Sequence, residues 1–379
     1  MKILHVITGI ERGGAENHLF DLVKHQLGNG SRVTVAYLRG QGYWAPALRK
    51  LGARVEFLKL RFYGDPRPLR LLRAIIMESD FDLIHAHLPP AELYTRAALA
   101  ALGDDTTPLV ISKHNDCPFH RLPGERALGR WVAHRASMVI AISEAVRRYM
   151  TGPALGLPAS QVRTIRYGID SAPYENVPPE KVAALRKEWG VNDDTFVVGF
   201  AGRFVEQKAI PKLLEAFALF RKIAPCETRL VLAGRGPLEA AMRLCAEHAG
   251  IAEHVVWAGF REDVPVMMRA FDVFALTSVH EGFGLVLVEA MAAGRAVIAT
   301  RSGAIPEVVL EGETGFLADT LEDFARALAK LCDRKLRERF GAAGRARVKE
   351  NFDLERMCAE TDAAYHDLWP QARPAPALH

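Results

Sequence analysis

The chain has 379 residues, 49% of them hydrophobic and 25% charged, with a formal net charge of +4. That length exceeds one typical core, so two domains are expected, and the composition is that of an ordinary soluble globular protein. Five scattered cysteines (Cys117, Cys226, Cys245, Cys332, Cys358) form no CxxC pair, which argues for a reducing compartment and against a zinc site. No segment has the order of a signal peptide, and none approaches the run of about eighteen apolar residues that spans a bilayer, so a cytosolic protein is expected. The charge is uneven: residues 1–170 hold 23 Lys and Arg against 15 Asp and Glu, and the remainder 26 against 30. A basic half beside a mildly acidic one suggests that the first half meets something anionic, the alternative being an ordinary solvated surface.

In chain order, ILHVIT, VTVAYL, VEFLKL, LIHAH, LVISKH and MVIAIS read as buried strands, separated by helical stretches at 15–28, 67–79, 91–102 and 144–151. Continuous apolar strands alternating with helices imply a parallel sheet covered on both faces. The segment 168–180, GIDSAPYENVPPE, lacks periodicity and reads as a linker. The alternation restarts with FVVGFAG, RLVLAG, VVWAG, VFALTS and AVIAT, with helices at 210–222, 236–248, 285–293 and 321–332. The stretch 341–368 follows as one long helical pattern, and PQARPAPALH as a frayed tail.

Open α/β sheets bind ligands beyond the carboxyl ends of their strands, and the chemistry-bearing residues fall there. TGIERGGAEN follows the first strand and ends with Gly13 and Gly14 at a helix start, where free amides suit an anion. It lacks the GxGxxG spacing of a dinucleotide site. SDFDL places Asp80 and Asp82 before a strand, at the wrong end of the sheet for a metal. LIHAHLPP ends with His85 and His87, which suggest a metal only weakly without supporting Cys or carboxylate spacing. LVISKHNDC ends with His114, which can donate to a sugar hydroxyl or simply pack. In FAGRFVEQK, Arg203 and Lys208 could converge on one diphosphate, or both could be solvated. VHEGFGLVLVEAMAAG brackets a Gly282–Phe283–Gly284 turn with Glu281 and Glu289. The helix from about Leu285 offers its amide-rich start to an anion, which leaves the acids to hold hydroxyls or to cap the helix.

Taken together, GGAEN, GR with a lysine five residues on, LAGRGPLE, FREDVPVMMRAFDVFALTS and EGFGLVLVEAMAAGRAVIATRSGAIPEVV resemble the motifs of retaining glycosyltransferase family 4, in family order. The resemblance implies an α/β GT-B fold, two doubly wound Rossmann-like domains facing a cleft. Residues 1–172 would bind the acceptor, 173–350 the nucleotide sugar, and 351–379 would return as a helix to the first domain. It assigns Glu281 to the transferred sugar, Glu289 to the ribose, and Phe283, Gly284, Leu285 and Val286 to backbone contacts. Arg203 and Lys208 would neutralise the diphosphate with Gly14 closing on it, His114 would meet the donor sugar, and Phe260 and Arg261 would border the base. It further implies a UDP-, GDP- or ADP-sugar donor, a glycan or polyprenyl-linked acceptor for cell-surface polysaccharide synthesis, no metal or other cofactor, and no nucleic acid. Two departures stand out: Ala209 replaces a common glycine, and Arg235 a common acid. RFYGDPRPLRLLRAII, with Arg67, Arg70 and Arg73 at helical spacing, and RLPGERALGRWVAHR could meet anionic lipid at the inner membrane face, the alternative being an ordinary charged surface. Rival readings are a sugar epimerase or phosphorylase of the same fold, and a non-catalytic nucleotide-sugar-binding protein.

Overall fold

The computed structural model of the chain describes residues 1–115, 125–153 and 155–368; Cys117, the opening of RLPGER and the tail PQARPAPALH lie outside them. Two compact units emerge, one of Met1–Gly168 with the chain from Leu354 onward, the other of Ile169–Asp353. Among the described residues no helix is long and apolar enough to cross a membrane.

The first unit is a seven-stranded parallel sheet of β1 (Lys2–Ile7), β2 (Arg32–Tyr37), β3 (Arg54–Phe57), β4 (Leu83–His87), β5 (Leu109–Lys113), β6 (Met138–Ala141) and β7 (Val162–Thr164). Its order is β3-β2-β1-β4-β5-β6-β7, so the winding reverses between β1 and β4. The crossovers carry α1 (Gly14–Gly28), α2 (Ala45–Lys50), α3 (Pro66–Glu78), α4 (Pro89–Leu102), α5 (Glu125–His134) and α6 (Glu144–Thr151). Strands such as β4 are buried along their whole length, because helices on both faces leave no wet side.

In the second unit, α7 (Ala172–Glu175) and α8 (Pro179–Glu188) precede a six-stranded parallel sheet of β8 (Phe196–Ala201), β9 (Thr228–Ala233), β10 (Val255–Gly259), β11 (Val273–Leu276), β12 (Ala296–Thr300) and β13 (Gly315–Ala318). Its order, β10-β9-β8-β11-β12-β13, reverses between β8 and β11. Its helices are α9 (Ile210–Arg221), α10 (Glu239–His248), α11 (Val264–Ala270), α12 (Leu285–Ala292), α13 (Ile305–Val308), α14 (Leu321–Lys330) and α15 (Arg334–Asn351), and α16 (Leu354–Leu368) belongs to the first unit.

The eleven apolar runs of the sequence are β1–β6 and β8–β12. Two expectations are corrected. The 168–180 stretch is not a bare linker: it contains α7, whose Tyr174 is buried. The 341–368 pattern is two helices, broken at Phe352–Asp353, where Phe352 leaves helical geometry and its carbonyl accepts from the Ile169 amide at 2.9 Å. That bond replaces a helical one at the residue where the chain quits the second unit.

Candidate functional site

In the second unit, the two loops that leave the reversal point, 202–209 after β8 and 277–284 after β11, are tied together. The Val279 amide donates to the Gln207 carbonyl at 2.9 Å, and the Gln207 amide group donates to the His280 carbonyl at 2.7 Å. The Thr277 hydroxyl lies 3.1 Å from the carbonyls of both Lys208 and Ala209. On the other flank, the hydroxyls of Thr300 and Ser302 both donate to the Ser278 carbonyl. Strand ends of β8, β11 and β12 therefore hold one rigid rim of backbone.

The 202–209 loop is also pinned to the turn after β9. The Phe204 amide donates to the Arg235 carbonyl, and Gly236 lies so close to Phe204 that an added Cβ would stand 2.3 Å from its carbonyl oxygen. Arg235 thus serves this packing through its backbone, while its side chain is exposed. Ala209 occupies the left-handed region, φ 44 and ψ 42, at the start of α9. A Cβ there is strained by roughly 1–2 kcal/mol, which is the structural meaning of the missing glycine.

On this rim Lys208 and Glu281 form an ion pair of 2.5 Å, their side chains 16% and 9% exposed. That contact answers the capping question. The α12 N-cap is Gly284, with no side-chain cap bond, and Glu281 reaches across to Lys208 instead. Gly284 turns at φ 87, a conformation that favours glycine, and delivers the chain directly into the helix. The amides of Leu285 and Val286, in the first turn, have no carbonyl ahead of them in the helix and carry its positive end. Phe283 is buried, its ring packed edge-on against Phe352 at 5.5 Å, so only its backbone can serve a ligand.

Glu289 lies on α12 one turn deeper, its Oε1 accepting from the Tyr174 hydroxyl at 3.1 Å. Burial pushes its carboxyl up to about 7, with the Tyr174 bond opposing. The Arg203 guanidinium is exposed and has no ion-pair partner among the described residues. Arg261, in contrast, is clamped by Asp263 at 2.8 Å and Glu188 at 2.7 Å, while Phe260 stands 47% exposed beside it.

In the first unit, α1 starts at exposed Gly14 directly after the β1 loop, with Gly13 as an N-cap that makes no side-chain bond. His114, just past β5, is nearly buried, with Nδ1 against the Tyr167 hydroxyl and Nε2 at 3.4 Å from His87. The Asp82 carboxylate accepts from the Lys2 amide at 2.7 Å, a bond at the amino end of the sheet that fits its reading as a turn residue. His85 and His87 are joined by His5, and these three are the group of possible metal ligands found among the described residues.

The exposed Arg203, the Lys208–Glu281 pair and the helix starts at Gly14 and Gly284 agree with the family resemblance, and sequence comparison decides it. Residues 12–172 match the family described as Glycosyltransferase Family 4, and residues 181–347 the family described as Glycosyl transferases group 1. The alpha-maltose-1-phosphate synthase of Mycobacterium tuberculosis is 31% identical over 314 residues, 76% of this chain and 79% of that protein. The chain belongs to glycosyltransferase family 4. This glycosyltransferase is also 28% identical over 322 residues to the putative glycosyltransferase EpsD of Bacillus subtilis, covering 80% of this chain and 83% of EpsD. Among solved structures, HepE of Anabaena in complex with UDP and glucose superposes with a TM-score of 0.86 at 26% identity, covering 97% of this chain and all of HepE. The fold is accordingly GT-B, and the enzyme is a transferase using a nucleotide sugar.

Of the residues chosen from the sequence, this glycosyltransferase brings Lys208, Glu281, Gly284, Leu285 and Val286 onto one rim, with Glu289 and Arg203 on the same loop–helix elements. Tyr174 was missed, since α7 is one turn long and sits in a Gly- and Pro-rich stretch. Its signal was an aromatic residue inside an otherwise polar segment.

Proposed function

We propose that this enzyme transfers a hexose from UDP-hexose, with retention, to a lipid-linked or glycan acceptor at the cytoplasmic face of a membrane. The observation that carries the donor site is the Lys208–Glu281 pair at the mouth of α12. In the proposal the donor diphosphate takes Lys208 and Arg203 together with the amides of Leu285 and Val286. Glu281, released from Lys208, then accepts from a sugar hydroxyl, and Glu289 from a ribose hydroxyl. Within the first unit, the amide-rich mouth of α1 at Gly14 suits an anionic group, and His114 donates to a substrate oxygen. Phe260 borders the base, and Arg261 holds its loop through Asp263 and Glu188.

The reaction breaks the bond between the anomeric carbon and the phosphate oxygen and forms one to the acceptor oxygen. Negative charge grows on the leaving diphosphate, where two cations and a helix start stabilise it without a divalent metal. The departing phosphate oxygen takes the acceptor's proton, and attack on the same face preserves the anomeric configuration. The uridine choice is supported by the HepE complexes with UDP and UDP-glucose. The 28% identical mannosyltransferase of Mycobacterium tuberculosis is named as GDP-mannose-dependent, which makes nucleotide the first thing to measure.

The experiment is calorimetry with UDP, GDP and ADP, followed by turnover with the matching sugars and an anomeric proton coupling on the product. UDP should bind in preference, and Lys208→Met should abolish the preference along with the binding. Stronger binding of GDP would overturn the uridine assignment, and an inverted product the mechanism. For the membrane part, Phe62 and Tyr63 stand 61% and 70% exposed before α3, next to exposed Arg61, Arg67 and Arg70. Aromatic rings with guanidinium groups suit an anionic interface. Cosedimentation with phosphatidylglycerol vesicles at low salt should fall in Arg67→Glu/Arg70→Glu; no cosedimentation of the native enzyme would refute the membrane location.

A further inference from the structure

One face of the first sheet carries histidines that the proposed chemistry does not use. Alternate residues of a strand share a face, so His85 and His87 of β4 project together. The register sets His5 of β1 opposite His85, and Ser112 of β5 opposite His87, which leads on to His114 at the end of β5. Helices α1 and α16 pack on this face and bring Gln26 and Tyr365. His5, His85, His87 and Gln26 are fully buried, and His114 is 9% exposed.

The side chains form a continuous line. His5 Nε2 lies 2.9 Å from Gln26 Oε1, and His5 Nδ1 lies 3.1 Å from His87 Nε2. His87 Nδ1 lies 3.4 Å from His114 Nε2, and His114 Nδ1 meets the Tyr167 hydroxyl. His85 stands beside this line, closed by Tyr365 at 2.5 Å and Ser112 at 2.8 Å. The polarity follows from one end. The Gln26 oxygen only accepts, so His5 carries its proton on Nε2 and accepts on Nδ1. His87 must then donate from Nε2 and accept on Nδ1, and His114 must do the same, with Tyr167 donating to its Nδ1. A second proton on His5 or His87 would set two N–H groups against each other, and one on His114 would displace the Tyr167 hydroxyl as donor. Burial agrees, holding His5 down to about 4 and His87 and His114 well below the usual imidazole range.

We propose that Gln26, His5 and His87 are positioning residues that fix His114 as the neutral Nε2–H tautomer, so that this N–H is presented to an oxygen of the bound substrate. The inference rests on the reading of His114 as a substrate contact given above. The link from His114 to His87 is the longest of the line, which leaves its N–H capacity for a second acceptor. The line is not a proton relay, because an amide oxygen at its end takes up no proton. It is not arranged for a metal either, since each accepting nitrogen already faces a donor. The other titratable groups around His114 are His18 of α1, with rings 5.9 Å apart, and Lys113, which is paired with Glu92 of α4. Burial, with the charge of Glu16 of α1 adding to it, raises the Tyr167 hydroxyl well above the usual range, which keeps the donor to Nδ1 protonated.

The test is nitrogen-15 NMR of the histidine rings of the full chain, with steady-state kinetics on the same samples. Native His114 should show a protonated Nε2 and a bare Nδ1 from about pH 6 to 8.5. In His87→Leu, checked for folding by circular dichroism, the His114 tautomers should mix and kcat/KM should fall about tenfold, the loss of one hydrogen bond. His87→Asn, whose amide oxygen can replace the accepting Nδ1, should restore both. Tyr167→Phe removes only a hydroxyl and should mix the tautomers from the other end. A native Nδ1–H tautomer, an unchanged tautomer in His87→Leu and Tyr167→Phe, or stoichiometric Zn²⁺ binding lost in His5→Ala would overturn the proposal. Mixed tautomers with unchanged turnover would overturn its link to catalysis; full activity of His114→Ala would place that failure in the functional reading instead of the network.

Discussion

Replacing Glu289 with glutamine removes a carboxyl whose ionisation falls near neutrality. Burial raises it to about 7, and the raised value means that the unliganded fold favours the protonated acid. Because the folded value lies above the unfolded one, native stability is fully present at low pH. It declines as pH rises from the ordinary carboxylate range to about 7. A ribose hydroxyl needs an acceptor, so nucleotide binding draws on the ionised form. The ionised fraction rises from about one tenth at pH 6 to about nine tenths at pH 8, which predicts roughly ninefold tighter UDP binding across that range. In Glu289→Gln the pH dependence should vanish. Loss of a charge-assisted bond of about 1.5–3 kcal/mol should weaken UDP by roughly tenfold to a hundredfold at pH 8. Calorimetry in buffers of different ionisation enthalpy gives both the affinity and the proton released. A native affinity flat between pH 6 and 8, or a variant that keeps the pH dependence, would refute the assignment of Glu289 to the nucleotide.

Lys208→Met should cost about 1–3 kcal/mol in a urea melt, because Glu281 is left partly buried without its cation, and Lys208→Met/Glu281→Gln should regain part of that; additive losses would show that the pair is not coupled. Ala209→Gly relieves the positive φ and, after the larger chain entropy of glycine, should add about 0.5–1 kcal/mol, seen as a higher melting temperature. Gly236→Ala would press a methyl to within 2.3 Å of the Phe204 carbonyl, and should either unfold the second unit or displace the Arg203 loop, with UDP binding lost in both cases.

Much of the candidate site was legible because its residues are adjacent in the chain to strand ends. β8 and β11 announce themselves as apolar runs, and FAGRFVEQK and VHEGFG must therefore sit at the carboxyl edge. What pairs with what was not legible. Lys208 and Glu281 lie 73 residues apart, and only the neighbouring of β8 and β11 in the sheet brings their loops together. Short edge strands such as β7, three residues with an arginine at the centre, give no periodic signal. The break between α15 and α16 carries neither Gly nor Pro and depends on a bond to Ile169.

By itself the sequence determined the local parts: parallel strands, helices that start at glycines, and which residues stand at strand ends, since these depend on side-chain pattern along the chain. The tertiary structure decided which strand lies beside which. That choice placed His5 next to His85, gave Glu281 to Lys208 instead of a helix cap, and set the Tyr174 hydroxyl against Glu289. The cause is the same in each case: a strand's own residues fix its two faces, but only the winding of the sheet fixes its neighbours.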